Sequence, residues 1–143
     1  MIRVGNIDDI EQILDIHKSL FKVPYTYSSF KFDIEDKYNI FHIYEKNNII
    51  VGYFSFKILV DEGELITIAV KKDHQNEGIA TLLLDDLISN AQQINLKNIF
   101  LEVSEHNKIA QKLYKNFGFE YTYTRYLYYG KDDNAYIYKK GLM

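Results

Sequence analysis

The sequence predicts an α/β (α+β) fold: a mixed, mostly antiparallel central sheet flanked by helices on both faces. Three observations carry that reading. Residues 40–70 hold three runs rich in Val, Ile, Phe and Tyr, separated by short turn-forming stretches, which is the pattern of an antiparallel meander. Residues 66–103 then switch to strand, amphipathic helix, strand. Only one proline and seven glycines interrupt the 143 residues, with no linker, repeat or low-complexity tract, so a single domain over 1–143 is expected.

Taken in order, residues 2–4 suit a short first strand. Asn6 and Asp8 offer N-caps to a helix whose apolar positions Ile10, Ile13, Leu14, His17, Leu20 and Phe21 recur at helical spacing. Lys22-Val23-Pro24 is expected to end it, because proline disfavours helical backbone in the residue before it. Ser28 or Ser29 offers a cap for a second, shorter helix to about residue 36. The meander follows as strands 40–44, 49–60 and 64–70, with turns at Lys46-Asn47-Asn48 and Asp61-Glu62-Gly63. Residues 71–77 form a polar loop. A helix starts at Gly78 with Ile79, Leu82, Leu83, Leu87 and Ala91 on its apolar face. Residues 98–103 are the next strand. Asn107 caps a helix presenting Ala110, Leu113, Tyr114 and Phe117, and Gly118 suits its C-terminal cap. Strands 119–128 and 135–142 close the chain around a turn at 130–134.

Composition narrows the function. With no cysteine, disulfides, thiolate metal sites and cysteine nucleophiles are excluded. A net charge of -3 with only two arginines, Arg3 and Arg125, gives no basic patch for nucleic acid. The four histidines, His17, His42, His74 and His106, lack metal-ligand spacing, so no metal is expected. No apolar run is long enough to span a membrane, and the N-terminus lacks a basic stretch followed by an apolar one. The expectation is a soluble cytoplasmic protein with no membrane partner.

Two segments carry chemistry. In the first, a strand ending Ile68-Ala69-Val70 passes through a polar loop into a helix that opens with the small residues Gly78 and Ala80. The first turn of a helix leaves N–H groups unpaired and its dipole favours anions, so this junction suits a phosphate. It carries neither a Walker loop nor a Gly-x-Gly-x-x-Gly fingerprint. A glycine that merely starts a tightly packed helix is the plain alternative.

The second segment is Phe100-Leu101-Glu102-Val103, with Tyr114 twelve positions after Glu102 on the following helix. Strand alternation puts Glu102 on the face opposite Leu101 and Val103. Acyl transfer to an amine needs a base for the amine's proton and profits from a donor at the leaving thiolate; a carboxylate and a phenol supply these. A solvated strand glutamate and a core tyrosine are the plain alternatives.

The pattern Gln75-x-x-Gly78-x-Ala80 after Ile68-Ala69-Val70 resembles the acetyl-CoA loop of the GNAT superfamily of N-acetyltransferases. The resemblance implies that Gln75, Asn76, Glu77, Gly78, Ile79, Ala80 and Thr81 bind the pyrophosphate through backbone N–H groups. It also implies that Ile68, Ala69 and Val70 pair with the pantetheine arm. The family often has basic residues where Asn76 and Glu77 stand; Lys71 and Lys72 are candidates to compensate. Leu101-Glu102-Val103-x-x-x-Asn107-x-x-Ala110-x-x-Leu113-Tyr114-x-x-x-Gly118-Phe119 is similar to the signature of RimI-type ribosomal-protein alanine N-acetyltransferases. Arg125-x-x-Tyr128-Tyr129 followed by Asp133-x-Ala135 also resembles that subgroup, which usually has a basic residue where Ser104 stands. The likeness covers the last 80 or so residues well and the first 60 by pattern only. It implies Glu102 as general base, Tyr114 as general acid and Asn107 as a coenzyme A contact. Glu62 and Glu64 are second candidates for the base. The N–H of Val70 is a candidate to polarise the thioester carbonyl.

The activity so implied is direct acetyl transfer from acetyl-CoA to a primary amine, foremost the N-terminal α-amine of a ribosomal protein. A small amine such as a polyamine or aminoglycoside, and a non-catalytic coenzyme A sensor, are the alternatives. Tyr128 and Tyr129 are candidates to line an amine or peptide groove.

Overall fold

The computed structural model describes residues 1–22 and 25–142; the helix stop expected at Val23-Pro24 lies outside them. Seven strands form one sheet: β1 (Ile2–Val4), β2 (Asn39–Lys46), β3 (Ile49–Leu59), β4 (Glu62–Val70), β5 (Asn98–Ser104), β6 (Glu120–Gly130) and β7 (Asp133–Gly141). Their spatial order is β1-β2-β3-β4-β5-β7-β6, and every pairing is antiparallel except β4 with β5.

Helices α1 (Ile10–Leu20) and α2 (Tyr27–Glu35) cover one face. Ile10, Ile13, Ile16 and Phe30 pack there against Phe41, Ile43, Tyr53 and Ala69. Helices α3 (Ile79–Gln93) and α4 (Lys108–Asn116) cover the other face, where Leu83, Leu84, Leu87 and Tyr114 meet Phe54, Phe56, Leu101, Val103 and Tyr138. β3 runs between the two layers and is buried continuously from Ile50 to Phe56. Each fully buried Leu, Ile or Phe here contributes about 1.5–3 kcal/mol. Among the described residues no helix is long and apolar enough to cross a membrane.

The element order follows the sequence reading, with local corrections. Asn6 caps a short 3-10 turn, Ile7–Asp9, in a capping box with Asp9, and α1 starts only at Ile10. Thr26, not Ser28 or Ser29, caps α2; Ser29 instead answers from the third helical position. On α3 the buried residue is Leu84, while Leu82 is exposed, so the apolar stripe is rotated by part of a turn.

The first hairpin turns on Asn47-Asn48 alone, both in the left-handed region, as a two-residue primed turn requires. The second turns on Val60-Asp61 rather than 61–63. Gly63 lies inside β4, opposite Ile58, and a Cβ there would sit 1.9 Å from Phe56 Cζ. Its missing side chain makes room for a core ring, which a turn-residue count does not reveal. The last turn is Lys131-Asp132, and β7 begins at Asp133.

Candidate active site

β4 and β5 pair only from Glu62–Leu65 to Asn98–Leu101. Across β3, Ser55 faces Thr67 and Phe56 faces Leu65, so Ile66 is an extra, bulged residue. A bulge bends its strand, and here the bend falls where the parallel ladder stops. Beyond it, residues 66–70 and 102–104 form no ladder with each other, and the sheet opens into a cleft.

Hydrogen bonds in an antiparallel ladder alternate along the strand. Lys71 N–H donates to Val51 O at 2.7 Å, so Thr67 and Ala69 turn their backbone groups toward β3. Ile68 and Val70 therefore present theirs to the cleft. The Val70 carbonyl accepts from Gln75 Nε2 at 3.1 Å, which leaves the Val70 N–H as the donor at that edge. Of the three strand residues expected to bind an arm, Ile68 and Val70 face the opening, whereas Ala69 is buried against α1 and α2.

Because β4 and β5 are parallel, the loops leaving them carry α3 and α4 from the same end of the sheet. In the first loop, Asn76 and Gly78 both adopt left-handed backbone, at φ 64° and 81°. Gly78 caps α3 without a side chain, and nothing lies within 4 Å of where its Cβ would be. The first α3 bond runs from Leu82 N–H to Gly78 O, so the N–H groups of Ile79, Ala80 and Thr81 have no helical partner. They make a row of donors at a helix N-terminus, next to open space. Glu77 would oppose an anion there, but Lys46 of the β2–β3 hairpin pairs with it at 2.8 Å, and His74 approaches at 3.3 Å. Hydrogen bonding from Lys46 holds the Glu77 carboxyl below its ordinary range. Lys46 thus offsets the charge of Glu77, while Lys71 and Lys72 line a hollow with Gln12, Asp15 and Ile16. Asn107 caps α4 by accepting from Ala110 N–H at 3.1 Å, a bond that does not use its amide nitrogen.

Glu102 faces away from the α3–α4 layer. Its Oε1 accepts from Arg125 Nη1 at 2.7 Å, with the glutamate side chain 18% exposed and the arginine 46%. Glu64, opposite Phe100 in the parallel ladder, shares this face; burial and then the charge of Glu102 raise its carboxyl above the ordinary value. Glu62 instead bonds Asn98 Nδ2 in the paired part of the two strands. The Arg125 guanidinium lies 5.4 Å from the Tyr128 ring centroid, and the nearby Glu102 charge raises the Tyr128 hydroxyl. After Arg125 the β6–β7 ladder lapses until Gly130, so 126–129 loops out against Asn134, whose Oδ1 accepts from Leu127 N–H.

Tyr114 stands on α4, in the layer that Glu102 faces away from. Burial alone pushes its phenol up to about 12, and its ring packs edge-on against Phe119 at 5.9 Å. Tyr129 links the two sides: burial raises its hydroxyl first, with smaller contributions from Glu102 and Tyr114. A phenol near 12 is a weaker acid than a thiol near 8.5. Such a group serves a leaving sulfur as a hydrogen-bond donor more readily than as a full proton source.

Sequence reasoning did not foresee three sets of contacts. Gln111 is buried on α4 and donates to the carbonyls of Ser104 and Glu105, tying the helix to the end of β5. Ser104 donates to Asp133 Oδ1 at 2.5 Å and so joins β5 to β7. Arg125 on Glu102 depends on strand register across 23 residues. The four histidines stay apart, and no cluster of metal-ligating side chains occurs among the described residues.

The chain matches the model of the acetyltransferase (GNAT) family over residues 10–119. A [ribosomal protein bS18]-alanine N-acetyltransferase of Haemophilus ducreyi is 32% identical over 127 residues, spanning 89% of this chain and 87% of that protein. Among solved structures, the ribosomal-protein-S18-alanine N-acetyltransferase of Escherichia coli superimposes with a TM-score of 0.93 at 23% identity, covering 99% of this chain and 93% of that one. The PaiA N-acetyltransferase of Thermoplasma acidophilum in complex with coenzyme A gives 0.84 at 17% identity, covering 99% and 98%.

Proposed function

This chain belongs to the acetyltransferase (GNAT) family, and on that footing we propose that it moves an acetyl group from acetyl-CoA directly to the N-terminal α-amine of a protein, a ribosomal protein beginning with alanine foremost. The observation that carries the proposal is the cleft between β4 and β5, with unpaired backbone donors along one edge and a carboxylate on the other. The similarity to a bS18-alanine N-acetyltransferase supports the choice of acceptor. We place the reaction in the cytoplasm, where ribosomal proteins and acetyl-CoA meet.

The residues present fit the acyl carrier. The N–H groups of Ile79, Ala80 and Thr81 take the pyrophosphate, helped by the dipole of α3. Gly78, with open space at its Cα, lets the ligand approach the loop of Gln75, Asn76 and Glu77. Ile68 and Val70 offer a strand edge to the pantetheine amides, and Asn107 offers its amide nitrogen. The Val70 N–H is placed to hold the thioester oxygen as charge develops on it.

On the acceptor side, Glu102 takes a proton from the ammonium, directly or through a water, and frees its lone pair. The nitrogen attacks the carbonyl carbon, the carbon–sulfur bond breaks, and the second amine proton leaves to solvent, or to Glu102 once that carboxyl has passed the first proton on to solvent; the released thiolate takes its proton from water. Tyr114 donates a hydrogen bond to the sulfur as it becomes a thiolate. With no cysteine in the chain, no acyl-cysteine precedes transfer.

The test is acetyl transfer to a peptide with an N-terminal alanine, read by mass spectrometry beside a polyamine and an N-terminally blocked control. General bases contribute about 10²–10⁴ in rate, so Glu102→Gln should lower kcat by at least about 10². Tyr114→Phe should cost about 10–10², one transition-state hydrogen bond. Acetyl-CoA affinity should stay within about twofold in both. Acetylation of the polyamine alone, or wild-type turnover in both variants, would refute this assignment.

A further inference from the structure

The cation on Glu102 is supplied by the protein itself. Arg125 Nη1 sits 2.7 Å from Glu102 Oε1, at the end of the regular β6–β7 ladder, and Tyr128 lies beside the guanidinium. The other charged groups around this spot are Glu64, whose carboxyl feels both Glu102 and Arg125, Lys57, one strand further away, and Lys139 on β7, whose Nζ lies 5.7 Å from the ring of Phe100, the residue opposite Glu64. Without Arg125, the two carboxylates would face each other across the mouth of the cleft with only the more distant Lys57 and Lys139 to offset them. With it, the position where an ammonium would meet Glu102 is already taken by a planar cation that is nearly half exposed and able to swing away.

We infer that Arg125 is a specificity-determining residue: it holds the acceptor's ammonium position in the free protein and yields it only to another cation. The inference rests on the proposed role of Glu102. An incoming N-terminal ammonium exchanges charge for charge, so Glu102 and Glu64 never face the cleft uncompensated. Its departing guanidinium is received by solvent and by the Tyr128 face. An acceptor that arrives neutral has no charge to offer in exchange and must pull Arg125 from Glu102 without replacing it. The device thus favours amines protonated at working pH and penalises neutral nitrogen nucleophiles such as weakly basic anilines and amides.

The size of the effect is bounded by the pair's exposure. Partly exposed ion pairs are modest, so removing the resident cation should lower the acceptor KM by about two- to fivefold. The experiment compares wild type with Arg125→Gln, Arg125→Lys, Arg125→Ala and Glu102→Gln, using an alanine-terminated peptide and saturating acetyl-CoA. The expected result for Arg125→Gln is a lower peptide KM with kcat and acetyl-CoA KM unchanged, and Arg125→Lys should stay near wild type. In Arg125→Ala, millimolar guanidinium chloride, far below denaturing levels, should raise the peptide KM again, and it should do so less in wild type. A Glu102→Gln enzyme as fast as wild type would overturn the role of Glu102 and the inference with it. An impaired Glu102→Gln beside an Arg125→Gln whose peptide KM is unchanged or higher, or whose kcat falls, would overturn the inference alone.

Discussion

Asp9 shows how single charges join the first elements. It is buried at the head of α1, where Arg3 grips both its oxygens at 2.9 Å while also bonding Glu45 on β2. Burial works to raise the Asp9 carboxyl, but the bonds from Arg3 and from the Asn6 N–H outweigh it, and the group lies below its ordinary 3.8. A depressed carboxyl stabilises the fold above its unfolded value and loses that share as pH falls through the folded one. Asp9→Asn is therefore expected to cost about 2 kcal/mol in urea unfolding at neutral pH, with the difference from wild type shrinking as pH falls below the ordinary carboxyl value of 3.8. A constant difference down to acid pH would mean that the carboxylate charge is not the source. These contacts were not legible in the sequence, which offers Asn6 and Asp8 as caps and gives Asp9 no role; Arg3 and Glu45 come from two strands whose register only the folded sheet sets.

At the scale of elements, strand and helix order could be read from periodicity, because each element buries one face and the apolar residues mark it. The loop from Val70 to Thr81 was equally legible, since a glycine at the start of an apolar-periodic helix is a local signal. Details set by packing were not. Gly63 looks like a turn residue beside Asp61, yet it lies in β4 under the Phe56 ring. The turn itself falls on Val60, a β-branched residue at φ 60°, which no turn preference would select. Gly63→Ala is expected to destabilise by about 1–3 kcal/mol through overpacking. Adding Phe56→Leu, which withdraws the ring edge, should recover part of that loss in thermal or urea unfolding. A double variant less stable than the sum of the singles would show that the clash is not with Phe56. The ion pair of Lys46 with Glu77 likewise joins a hairpin to a loop 31 residues away and could not be seen in either segment alone.

For the whole molecule, the account turns on one break in the sheet. The bulge at Ile66 ends the β4–β5 ladder, the parallel direction of those strands brings the starts of α3 and α4 to the same end, and alternation along β4 aims Ile68 and Val70 into the opening. Glu102 and Tyr114, from opposite layers of the fold, both influence Tyr129 beside that opening. Whether the cleft holds the acyl carrier is read most directly by amide hydrogen exchange, residue by residue, with and without coenzyme A. The account predicts slower exchange on adding coenzyme A at Ile68, Val70 and Ile79 to Thr81, while Thr67 and Ala69, already bonded to β3, change little. Unchanged exchange at Val70 and across the first turn of α3, with protection appearing elsewhere on the molecule, would contradict it.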